Sequence, residues 1–122
     1  SGYVDAFYIK ASKVRRLLQN QFHEAFQKCD VLLSPVTTSP AFRIGEKQTD
    51  PVRMYFNDIF TTSANLCGLP GMSVPFGFSQ EGLPIGVQLT ASHFCEQQML
   101  NVAFAIEKAR TTELQERKPH VY

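Results

Sequence analysis

At 122 residues and 13.8 kDa, with 43% hydrophobic and 19% charged residues, the chain describes one globular domain or a piece of one, and disorder is excluded as its main state. Its 12 Lys and Arg against 11 Asp and Glu leave a net charge of +1, so no global field would hold nucleic acid or an anionic membrane and any polyanion contact must be local. The longest apolar runs, such as those at residues 31–33 and 102–106, fall far below the roughly 20 residues that a membrane span needs.

The opening Ser1-Gly2-Tyr3-Val4-Asp5 has neither the basic region nor the apolar core of a secretory signal, and without Met the expectation is that Ser1 is not the biological start. From residue 3 to 29, Phe7, Ala11, Val14, Leu18, Phe22, Ala25, Phe26 and Cys29 recur at a helical period, which predicts one long helix of about seven turns and roughly 40 Å. Its apolar stripe is expected to face a sheet, and Lys10, Lys13, Arg15, Arg16, Gln19, Asn20, His23, Glu24, Gln27 and Lys28 to meet solvent. Residues 30–35, Asp-Val-Leu-Leu-Ser-Pro, read as a short buried strand of the parallel type, stopped by proline. The stretch 36–51, with Pro40, Gly45 and Pro51, has no period and is expected to be a long loop.

Asp50 can cap a helix that opens at Pro51 and runs to Leu66, broken near Thr61 and closed by Gly68 and Pro70. Two strand-length runs, 71–78 and 85–91, flank a Gly82-containing turn and predict a hairpin, with Pro75 marking a bulge or an edge position. Residues 96–110 predict a second packed helix on Met99, Val102, Ala103, Ile106 and Ala109, with Glu96 in its first turn and Lys108 and Arg110 in its last. Residues 111–122 are polar and charged and read as a mobile, fraying tail. The sum, helix, strand, helix, hairpin, helix, has too few strands to cover its amphipathic helices, and is expected to be one flank of a larger α/β sheet.

Cys29, Cys67 and Cys95 are odd in number and contain no Cys-x-x-Cys pair, which points to neither a disulfide framework nor a zinc site and to a reducing compartment. With His23, His93 and His120 they share no helical face, so packing thiols and surface imidazoles are expected. No Gly-rich phosphate loop, Gly-x-Ser-x-Gly elbow or His-Glu-x-x-His is present. Ser12, Ser34, Ser39, Ser63, Ser73, Ser79 and Ser92 have no sequence-local activating partner, so each is expected to be a cap, turn or strand residue. Lys10, Lys13, Arg15 and Arg16 form a basic cluster, more simply a solvated helix face than an RNA contact.

Asp58 stands out among the acids. It lies in an otherwise uncharged stretch from residue 54 to 80 and shares a helical side with Met54, Thr61, Thr62 and Asn65. A carboxylate facing a pocket there would suit a cation such as an α-ammonium, through charge-assisted hydrogen bonds roughly twice as strong as neutral ones. A solvated helix-face Asp explains the residue equally well.

The strings Asn65-Leu66-Cys67-Gly68-Leu69-Pro70-Gly71-Met72-Ser73-Val74-Pro75-Phe76-Gly77 and Gly82-Leu83-Pro84-Ile85-Gly86-Val87-Gln88-Leu89, followed by Glu96, Leu100 and Glu107, resemble the C-terminal part of amidase signature enzymes. More narrowly, Tyr3-Val4-Asp5-Ala6-Phe7-Tyr8, Gly45-Glu46-Lys47 and Asp50-Pro51-x-x-Met54-Tyr55-x-x-Asp58-Ile59-Phe60-Thr61 look like the A-subunit family of glutamyl-tRNA(Gln) amidotransferases, nearly end to end. The resemblance implies an α/β fold, the C-terminal part of an α/β/α sandwich with a mixed sheet, residues 1–122 forming one portion of a single domain. It implies an A subunit that hydrolyses glutamine and delivers ammonia to a B subunit, which amidates glutamate misattached to tRNA(Gln) using ATP and Mg, while a small C subunit braces the two. It also implies a Lys, a cis-Ser and a nucleophilic Ser upstream of this segment, so that this chain carries no catalytic residue, binds no cofactor or metal and is inactive alone. Asp58 matches the family Asp that helps hold substrate glutamine; the Arg that clamps the α-carboxylate lies upstream of Ser1. A cytoplasmic location, no membrane contact and tRNA contact mainly through the B subunit follow from the same resemblance. Two other readings stay open: a noncatalytic partner-binding module, and a segment of another amidase signature amidohydrolase.

Overall fold

The structure is a computed structural model that describes residues 7–45 and 51–110. In chain order it contains α1 (Ile9–Phe26), β1 (Val31–Pro35), α2 (Pro51–Asn57), α3 (Ile59–Cys67), β2 (Gly71–Phe78), β3 (Pro84–Ala91) and α4 (Glu96–Ala109). The expected tail at 111–122, the first turn of the long helix and the Asp50 cap lie outside the described residues.

The three strands form one sheet in the order β1-β3-β2. The hairpin forms as its alternation requires, β2 and β3 pairing antiparallel from Gly71 opposite Thr90 to Phe78 opposite Pro84. The register shifts between Pro75 and Gly77. Proline has no N–H to give the ladder, and the extra residue, Phe76, is accommodated as a bulge on an edge strand. The turn closes through Ser79 N–H to the Leu83 carbonyl at 2.8 Å and Gly82 N–H to the Ser79 carbonyl at 3.0 Å, with Gly82 at φ +84°, where a side chain would be strained. β1 pairs with β3 antiparallel, Val31 opposite Ala91 through Pro35 opposite Val87. This corrects the parallel assignment: a short apolar run states that a strand is buried, not which way its neighbour runs. Among the described strands all pairing is antiparallel.

Alternation along β3 divides the molecule. Leu89, with 0% exposure, and Ala91 point to one face and join Val74, Met99 and Ala103 in the core, where Val31, Met72, Val87, Val102 and Ile106 pack against them. The predicted stripe of α4 is therefore its buried face, and removal of Leu89 from water alone contributes about 1.5–3 kcal/mol. Gln88 and Thr90 point the other way and are also buried; with Ser34 and Ser73 opposite Gln88 and Leu32 opposite Thr90, that face is mostly polar.

α1 packs chiefly on α3 rather than on the sheet. None of its residues is buried: of its apolar stripe, Leu18, Phe22, Ala25 and Phe26 are half-buried and Val14 is exposed. The period identified an apolar face, but α4 holds the apolar side of the sheet and the other side is mostly polar. The helix also stops at Phe26, earlier than expected, where Lys28 N–H bonds the Ala25 carbonyl at 2.9 Å and tightens the last turn. Phe7, Val14, Tyr55, Phe56, Ile59, Phe94 and Phe104 are exposed as well.

So much exposed apolar surface on the helices and a loop is more than a small soluble domain ordinarily leaves uncovered. The 122-residue chain on its own is expected to self-associate in sizing experiments and to bind a dye that reports exposed apolar surface. A monomeric chain with a cooperative, high-melting calorimetric transition would contradict this.

Candidate functional site

The helix expected from Pro51 to Leu66 is broken at Asp58, not near Thr61. Asp58 has φ −99° and ψ 2°, outside the helical basin, and it separates α2 from α3. The break is held by its backbone carbonyl, which accepts the Thr62 hydroxyl at 2.7 Å and the Thr61 hydroxyl at 3.2 Å, besides the Thr62 N–H at 2.9 Å and the Thr61 N–H at 3.1 Å. The two threonines turn their hydroxyls back on the chain, a local competition with helix bonding that Thr makes readily. They close the first turn of α3 instead of breaking the helix. The Asp58 side chain is exposed and makes no capping bond to α3. An acid at an N-cap usually turns inward to the N–H groups; this one faces outward.

α3 is tied at both ends. Near its start, the Gln88 side chain, 8% exposed, donates from Nε2 to the Phe60 carbonyl at 2.9 Å and to Ser34 Oγ at 3.4 Å. At its end, the Cys67 carbonyl accepts Gln19 Nε2 from α1 at 3.4 Å, and His93 Nε2 lies 3.2 Å from the same oxygen, donating in the Nε2–H tautomer. Gly68 stops the helix at φ +70°, with Gly68 N–H to the Asn65 carbonyl at 3.2 Å and Leu69 N–H to the Ala64 carbonyl at 3.0 Å, the bond pair of a Schellman termination.

Arg15 and Gln19 of α1 and Thr62, Asn65 and Cys67 of α3 line an open cleft of about 470 Å³. The sequence places Asp58 on one helical side with Thr62 and Asn65, but the break takes Asp58 out of that helix, and it does not line this cleft. The rest of the basic cluster, Lys10, Lys13 and Arg16, lies on the exposed surface of α1. Cys67 is 1% exposed; burial pushes its thiol above the ordinary value, and nearby Arg15 only partly offsets this. Cys29 is exposed, Cys95 half-buried, and neither forms a disulfide. Among the described residues no three His, Cys, Asp or Glu side chains come together as a metal set; His120 lies outside them. No described helix is long and apolar enough to cross a membrane. Ser34 and Ser73 sit on strands and Ser79 in the hairpin turn.

Sequence reasoning missed Gln88, Gln19 and His93. A signal for Gln88 was present: it is the one polar residue among Val87, Gln88 and Leu89, and a strand residue of that type on the face opposite a core requires a partner.

Residues 1–100 match the family model described as Amidase. The chain is 69% identical over 121 residues to the A subunit of the glutamyl-tRNA(Gln) amidotransferase of Bdellovibrio bacteriovorus, covering 99% of this chain and 24% of that protein. It is 56% identical over 108 residues to the protein of the same name from Chromobacterium violaceum, covering 88% of this chain and 22% of the relative. The crystal structure of the glutamyl-tRNA(Gln) amidotransferase A subunit from Thermotoga maritima superposes with a TM-score of 0.81 at 44% identity, over 88% of this chain and 24% of that one. The chain thus spans about a quarter of the length of the relatives it matches.

Because its thiol is buried and titrates high, Cys67 is expected to react with iodoacetamide at mildly alkaline pH far more slowly than exposed Cys29. Mass spectrometry of the labelled peptides measures this, and equal rates at the two positions would contradict the packing described.

Proposed function

This chain belongs to the amidase family, and from that premise we propose that it is the C-terminal segment of the glutaminase (A) subunit of a glutamine-dependent tRNA amidotransferase. The observation that carries the reading is identity of 69% across nearly the whole chain to a protein of that name. In this reading the full-length subunit hydrolyses glutamine and supplies ammonia for conversion of Glu-tRNA(Gln) to Gln-tRNA(Gln). A partner B subunit carries out the amidation with ATP and Mg and makes most of the tRNA contact; a C subunit completes a cytoplasmic heterotrimer. The segment is one portion of a single amidase domain, completed as an α/β/α sandwich by the rest of the subunit, and its exposed apolar helices support that arrangement.

Hydrolysis of an amide needs an activated nucleophile, a proton relay and donors for the developing oxyanion. This segment supplies none of the three and acts on binding. Asp58 faces outward at the α2–α3 break, where a carboxylate can accept charge-assisted bonds from the α-ammonium of glutamine. Orienting the amino-acid end leaves the side-chain amide to the nucleophile, and correct placement is itself a large part of the rate.

Asp58→Asn in the full-length subunit within its complex is expected to raise the KM for glutamine by about ten-fold or more, the loss of one charge-assisted contact. Amidation driven by added ammonium salt should be unchanged, since that nitrogen source bypasses the glutamine site. Wild-type use of glutamine by the variant would overturn the assignment.

A further inference from the structure

Gln88 is the residue that joins the sheet to the segment bearing Asp58. It projects from the central strand on the face opposite the core, is nine-tenths buried, and donates to the carbonyl of Phe60, two residues after Asp58, at 2.9 Å. Its second contact, Ser34 Oγ on β1 at 3.4 Å, holds the amide plane over the sheet. The Phe60 carbonyl belongs to the first turn of α3, so the bond fixes where that helix starts relative to β3. The Phe60 carbonyl also serves the helix as the acceptor for residue 64, so loss of the amide removes a tie between this turn of α3 and β3 rather than the helix bond.

We propose that Gln88 is a positioning residue for substrate: through the Phe60 carbonyl it sets the place and direction of the α2–α3 break, and with it the Asp58 carboxylate. The inference rests on the reading of Asp58 as the group that holds glutamine. Gln88 touches no substrate. Its effect passes through one backbone carbonyl and the adjoining turn, where the Asp58 side chain has no capping bond to restrain it. A residue acting in this way changes how well substrate is held while leaving the reacting groups elsewhere as they are.

The test is made in the full-length subunit within its complex, with Gln88→Met, which keeps the length of the side chain but has no donor, Asp58→Asn, and the two combined. Gln88→Met is expected to raise the KM for glutamine about ten-fold with kcat changed by less than about two-fold, and to leave ammonium-driven amidation unchanged. The combined variant is expected to be no worse than Asp58→Asn, because both changes act on one contact. An Asp58→Asn effect beside an unchanged KM in Gln88→Met would overturn the role of Gln88 and leave Asp58 standing. Fully additive effects would place Gln88 outside the Asp58 contact and also overturn it. No effect of Asp58→Asn would remove both assignments. Should Gln88→Met not fold, Gln88→Leu, which also removes the donor and adds no charge, carries the same expectation; failure of both to fold would mark Gln88 as a stability residue and reject the proposal.

Discussion

The central position of β3 governs the arrangement. It is hydrogen-bonded on both edges, so its backbone is satisfied within the sheet and its side chains alone decide what lies above and below. Leu89 and Ala91 bring α4 onto one face by burial of apolar surface, while Gln88 and Thr90 on the other face require polar partners. A shift of one residue in register would exchange these two sets. The pairings Leu33–Leu89–Met72 and Ser34–Gln88–Ser73 keep like with like across the three strands, so the register is specified from both sides.

The polar face explains why α3 and α1 are held so differently from α4. α4 meets the sheet through interlocking apolar side chains, whereas α3 is suspended between the Gln88 amide at its start and the Gln19 and His93 side chains at its end. The last carbonyls of a helix have no partner within it; here one of them receives donors from two separate parts of the chain. α1 follows α3 rather than the sheet, and its remaining apolar stripe stays uncovered among the described residues. The Asp58 carbonyl is saturated by Thr61 and Thr62, which leaves the carboxylate without a local role in starting α3.

Much of this was legible in the sequence for definite reasons. The hairpin, its bulge at Pro75 and the stop at Gly68 follow from residues with unusual backbone requirements, which act locally. α4 was legible because its stripe is strict and its charges match the helix dipole. Asp58 was identifiable as an isolated acid in an uncharged stretch, and a break in this helix was expected, but near Thr61; its place at Asp58 depends on hydroxyls bonding a carbonyl three and four residues back. The direction of β1 and the partner of α1 were not legible, since an apolar run or stripe demands burial without naming what buries it. For Gln88 the local pattern shows that a partner is needed but not which one, because the contact is with Phe60 twenty-eight residues away.

The chemistry proposed for this segment comes down to an outward-facing carboxylate, at a helix break fixed from the sheet, receiving the amino group of an amino-acid substrate. A crystal structure of the full-length subunit with glutamine bound tests this most directly. The α-ammonium nitrogen is expected within about 3 Å of the Asp58 carboxylate, with the Gln88 to Phe60 bond intact. Glutamine seated with its amino group on other residues, and Asp58 left facing solvent, would contradict it.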